Sequence, residues 1–153
     1  HVNKCIDFVY KAMGEEKFNK YLGVLLTDRG PEFNDYRGIE FGEDNIRRCH
    51  LFYCDSGQST QKPFVERINR EIRRYVFKGQ SVEKITQKDC NLIASYINNM
   101  TLVGLGNRTP REFAKQFLGE DILRELNVIY IKPNDLVVKN IDLIKYELKK
   151  KSK

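Results

Sequence analysis

An α/β fold is the architecture this chain predicts, and three kinds of stretch predict it. Residues 21–27, Tyr-Leu-Gly-Val-Leu-Leu-Thr, form a short apolar run rich in strand formers. Such a run reads as a buried strand in a mixed or parallel sheet. Residues 47–54, Arg-Arg-Cys-His-Leu-Phe-Tyr-Cys, read as a second strand. Beyond them apolar residues recur at helical steps, from Phe64 to Val76 and again from Leu92 to Met100.

Taken in order, Cys5, Ile6, Val9 and Met13 stand at helical spacing, and Gly14 can end that helix. The run at 21–27 stops at the turn-forming cluster Asp28-Arg29-Gly30-Pro31. Asp28 is therefore expected at the C-terminal end of a buried strand, the sheet edge where α/β proteins usually carry their chemistry. Residues 35–45 are polar and contain Gly38 and Gly42, which suits a connecting turn or a short helix. Residues 55–62, Asp-Ser-Gly-Gln-Ser-Thr-Gln-Lys, have almost nothing to bury and read as an exposed, mobile loop.

Pro63 suits the first turn of a helix. From there Phe64, Val65, Ile68, Ile72, Tyr75 and Val76 make one apolar face. Glu66, Asn69, Arg70 and Arg73 follow at three- and four-residue steps on another face. Lys78-Gly79 is the expected end of this helix. A further helix over roughly 87–100 turns Leu92, Ile93, Tyr96, Ile97 and Met100 inward. Thr109 is expected to cap a short helix that starts at Pro110. After Gly119 come a last short helix, a strand-like run from Val128 to Ile131 and a lysine-rich end. No internal repeat is visible.

Hydrophobic residues make up 41% and aromatic residues 11%, which supports a packed core and argues against wholesale disorder. No stretch reaches the roughly 18 apolar residues of a membrane helix. The start His1-Val2-Asn3-Lys4-Cys5 has no signal-peptide layout and no initiator Met, so the chain reads as cut from something longer. Lys and Arg number 27 against 21 acidic residues, a formal charge of +6 that attracts polyanions without naming one. Of the four cysteines, only Cys49 and Cys54 lie close together, with His50 between them. Zinc usually wants four ligands at more regular spacing, so reduced, buried thiols are the preferred reading.

Two blocks carry a resemblance. Thr-Asp-Arg-Gly-Pro-Glu-Phe at 27–33 resembles the segment around the second aspartate of DDE-class transposases and retroviral-type integrases. The block at 66–79 resembles the glutamate helix of the insertion sequence thirty family, E-x-x-N-x-x-x-R-x-Y-x-x-K-G, with Glu66, Asn69, Arg73, Tyr75, Lys78 and Gly79 at its specified positions. Asn98 and Leu-Gly-Asn-Arg-Thr-Pro-Arg-Glu-Phe at 105–113 look like the closing motif of that family. Lys62-Pro63 departs from the usual arginine-glycine pair, the loop lacks the family's aromatic residue, and the two acids are slightly far apart for the class.

The resemblance implies an RNase H-like integrase catalytic core, incomplete at the N-terminus and followed by additional C-terminal helices. Residues 1–119 would be the partial core, and 120–153 a C-terminal extension with a basic tail. Asp28 and Glu66 would be the second and third ligands for Mg²⁺ or Mn²⁺, hard ions that prefer oxygen donors and drive in-line displacement at phosphorus. The first catalytic aspartate would lie upstream, because Asp7, the acid in the first helix, has the position of a solvated helix face. This piece alone would then be unable to cleave DNA. Asn69, Arg70, Arg73 and Lys78 would contact DNA, both transposon ends and target, with Arg108 and the terminal lysines as weaker candidates. The resemblance further implies a homo-oligomer in the bacterial cytoplasm, acting at the nucleoid and away from membranes. The competing expectation is an inactive DNA-binding or assembly remnant. Without the resemblance, Asp28 reads as a turn cap and Glu66 as a favourable anion in a helix's first turn.

Overall fold

Gly14 divides the N-terminal segment into two helices, α1 (Val2–Met13) and α2 (Glu15–Leu22). At φ 74 it sits in backbone space that a side chain would strain. In this computed structural model, residues 2–42, 45–55, 63–77, 79, 81–136 and 139–145 are described. They fall into two compact units, 1–61 and 62–153.

In the first unit α2 displaces part of the expected strand. Tyr21 and Leu22 finish the helix, and β1 covers only Val24–Thr27. Glu15 and Glu16 in the first turn and Lys20 in the last complement the helix dipole, and Phe18 is fully buried edge-on to Tyr10 at 5.1 Å. That packing holds the segment in a helix against its strand-like composition. A short helix α3 (Tyr36–Glu40) follows, within the polar stretch that suited one. β2 (His50–Tyr53) runs parallel to β1, with Val24 opposite His50 and Thr27 opposite Tyr53.

The expected burial of β1 does not hold. Side chains alternate across a strand, and Val24 remains 65% exposed and Leu26 47%, while Leu25 and Thr27 are half-covered. β2 is likewise shorter than the run at 47–54, because Arg47 bridges to Phe41 and Arg48 turns into the core.

The second unit is helical among its described residues. Its helices are α4 (Pro63–Ile72), α5 (Gln87–Asn98), α6 (Pro110–Leu118) and α7 (Glu120–Glu125), with a last helical turn at 141–145. Thr86 and Asp89 form a capping box at the start of α5, as Thr109 and Glu112 do at α6, where Pro110 occupies the first turn. Tyr75, Ile93, Tyr96, Ile141 and Ile144 make the core.

Two expectations fail in this unit. Regular helix stops at Ile72, well before Lys78-Gly79, as the Tyr75 N–H closes a tighter bond on the Ile72 carbonyl. The run Val128–Ile131 forms no strand. Its backbone is satisfied by side chains instead: Ile129 N–H donates to Ser95 Oγ, Asn99 Nδ2 donates to the Ile129 carbonyl, Ile131 N–H donates to Asn99 Oδ1, and Arg111 Nε donates to the Val128 carbonyl.

Candidate functional site

Asp28 follows the last residue of β1. The Cys54 N–H donates to the Thr27 carbonyl at 2.7 Å, so ladder bonding continues to the point where the chain leaves the sheet. The Gly30 N–H then donates to Asp28 Oδ1 at 3.2 Å, the turn-capping bond that the residue pattern Asp-Arg-Gly favours. Tyr53 of β2 donates its hydroxyl proton to the Phe33 carbonyl at 2.9 Å and holds the far side of the turn. Asp28 also makes an interaction beyond this turn bond. Beside it, the Thr27 hydroxyl oxygen is buried without a hydrogen-bond partner.

Glu66 lies in the first turn of α4, where the helix dipole favours an anion. Glu66, Asn69 and Arg70 are exposed, and the Arg73 N–H donates to the Asn69 carbonyl at 3.1 Å, which carries the helical path one turn past Asn69. These four side chains therefore share one exposed stripe. Arg74 pairs with Glu71 at 3.0 Å. Lys78 and residues 56–62, where a loop was expected, lie outside the described residues. Asp28 belongs to the first unit, and Glu66, Asn69, Arg70 and Arg73 belong to the second.

The apolar side of α4 is open. Phe64 is 76% exposed, and Val65, Ile68 and Ile72 are exposed as well, so only Tyr75 of the expected face is buried. Ile68, Ile72 and Val76 face Ile93 and Ile97 across a groove of about 460 Å³ between α4 and α5.

Several charges are committed to structure. Asp7 is not simply solvated: its Oδ1 accepts from Arg48 Nη1 at 2.6 Å. Arg111 is buried, pairs with Glu120 and stacks over Tyr130 at 5.8 Å. Lys115 and Arg111 together hold the Glu120 carboxyl below its ordinary range. Arg108 lies over the Phe113 ring at 5.2 Å and bonds to Gln116, so this candidate DNA contact packs on α6, the helix that follows it. The stretch 105–113 thus combines a left-handed turn at Gly106 and Asn107, a capping box and a buried cation. The capping pattern was visible in the sequence, but the partner of Arg111 was not.

Cys49 is buried and its thiol lies 3.4 Å from the Ile39 carbonyl oxygen, and burial pushes its pKa up, away from a metal-binding thiolate. Among the described residues, no three His, Cys, Asp or Glu side chains gather as a metal cluster. No helix among them is long and apolar enough to cross a membrane.

No family model and no solved structure matches the chain. A protein described as an integrase, ORF3, of Spiroplasma virus SpV1-R8A2 B is 34% identical over 75 residues, covering 49% of this chain and 22% of that protein. The transposase for insertion sequence element IS4351 of Bacteroides fragilis is 26% identical over 105 residues, covering 69% of this chain and 31% of that protein. This chain is similar to transposases and integrases. It spans less than a third of the transposase and integrase relatives it matches.

Proposed function

We propose that this chain is part of the catalytic region of a DDE-class DNA transposase with an RNase H-like core, related to the insertion sequence thirty family. The observation that carries the reading is the placement of its two acids: Asp28 ends a strand of a parallel pair, and Glu66 opens an exposed helix whose stripe continues through Asn69, Arg70 and Arg73. Similarity to a transposase over 105 residues supports it independently.

The donor chemistry of the two acids suits Mg²⁺ or Mn²⁺, since both present carboxylate oxygens. Such an ion would supply Lewis-acid stabilisation of charge at a scissile phosphate. The protein's own groups do the rest. Asp28, fixed by its turn, and Glu66, favoured by the helix dipole, present anionic oxygens. Arg70 and Arg73, one and two turns along, supply guanidinium donors for DNA phosphates and set its register without reading bases. The substrates would be transposon ends and target DNA, held by more than one copy of the protein.

The test is Glu66→Gln in the full-length protein, assayed for Mg²⁺-dependent cleavage of terminal DNA. Loss of even an outer-shell partner lowers metal-dependent activity 10–100-fold, so removal of a ligand is expected to cost at least about 100-fold. Binding to the same DNA should persist. Unchanged cleavage in this variant overturns the assignment.

A further inference from the structure

The segment that carries Glu66 is held from its far end. None of the side chains of α4 is buried, so packing along the helix does little to fix it. Tyr75, just beyond the helix, is fully buried, and its N–H bonds back to the Ile72 carbonyl at 2.9 Å. Around it close Ile93 and Tyr96 of α5 and, from much later in the chain, Ile141 and Ile144. The Ile141 N–H donates to the Tyr75 carbonyl at 2.9 Å, and Lys145 reaches the buried Asp89 at 3.1 Å.

We infer that residues 139–145 are a clasp for the helix bearing Glu66, with Ile141 and Ile144 acting as positioning residues through Tyr75. Tyr75 is where the buried core meets the exposed helix, and the clasp supplies both apolar cover and a main-chain bond at that point. Removing the Ile141 and Ile144 side chains uncovers Tyr75 at the root of α4, while the Thr86–Asp89 capping box of α5 and its Lys145 partner keep their groups. The functional half of the inference rests on Glu66 being a metal ligand; the structural half does not.

The experiment uses the full-length protein carrying Ile141→Ala with Ile144→Ala, read by amide hydrogen exchange. Exchange across 63–77 should speed at least about tenfold, while residues 24–27, 50–53 and 110–118 keep their wild-type rates. Ile144→Leu, which keeps the apolar volume, should stay near wild type. Should the double variant fail to fold, Ile144→Val applies the same comparison with a smaller expected change. Wild-type exchange across 63–77, or equal loosening of α5 and α6, overturns the clasp. In cleavage assays the double-alanine variant should lose kcat, and Ile144→Leu should keep it near wild type. Glu66→Gln runs alongside: if that variant cleaves normally the metal-ligand reading falls, and the exchange data still decide the clasp.

Discussion

Arg48 shows how far a single residue can depart from what its neighbours in sequence suggest. Its side chain is 2% exposed, yet every arm of the guanidinium has a partner: Nε donates to the Ile39 carbonyl at 2.9 Å, Nη2 to the Gly38 carbonyl at 2.7 Å, and Nη1 to Asp7 at 2.6 Å. It ties α1 to α3 and to the approach to β2. Asp7→Ala should destabilise the protein by about 1–3 kcal/mol, because it leaves a buried cation short of its anion. Asp7→Asn, which keeps an acceptor, should cost less. The urea midpoint at unchanged m measures the difference, and a midpoint equal to wild type for Asp7→Ala would remove the anchoring role. None of this was legible in the sequence. Helical spacing placed Asp7 on a polar face, but its partner comes from 41 positions away.

At the scale of elements, the two capping boxes connect structure to pH. The Thr86 N–H, and after it Lys145, hold the Asp89 carboxyl below its usual range, and Thr109 does the same for Glu112. A carboxyl whose pKa is lower in the folded state adds stability that is present above its unfolded pKa, about 4, and is lost as pH falls through the folded value. The helical signal should therefore lose thermal stability on the acid side of about pH 4, and Asp89→Asn should flatten that limb. An acid limb identical in the variant would show that Asp89 does not contribute to it. Helix starts were the most legible elements, since Thr109-Pro110 is a local signal. Strands were the least legible. The run at 21–27 lost its first residues to a helix that buries Phe18, and the run at 128–131 found side-chain partners on α5 where a neighbouring strand was expected. Both outcomes depend on residues outside the runs themselves.

For the molecule as a whole, Arg48 and Arg111 are buried in ion pairs and are not cations that a polyanion meets, although each pair is neutral and leaves the formal charge at +6. The exposed stripe of α4 is different. Arg73→Ala in the full-length protein should weaken DNA binding for all sequences alike and lower the slope of log K against log salt by about 1. An unchanged slope in a filter-binding or anisotropy titration would remove Arg73 from the interface. The acids at a strand end and a helix start were legible because both positions have local punctuation, Asp-Arg-Gly-Pro and Pro63. The placement of 139–145 was not, because its isoleucines find their partners only in the folded unit. The way 127–131 is held has one more consequence. A strand in a ladder can slide by two residues and meet the same kind of partner again. Here Ile129 and Ile131 answer to two particular side chains, Ser95 on α5 and Asn99 just past its end, one turn apart. The segment is keyed tooth by tooth, so a one-residue insertion between Asn127 and Ile131 has no neighbouring notch to fall into.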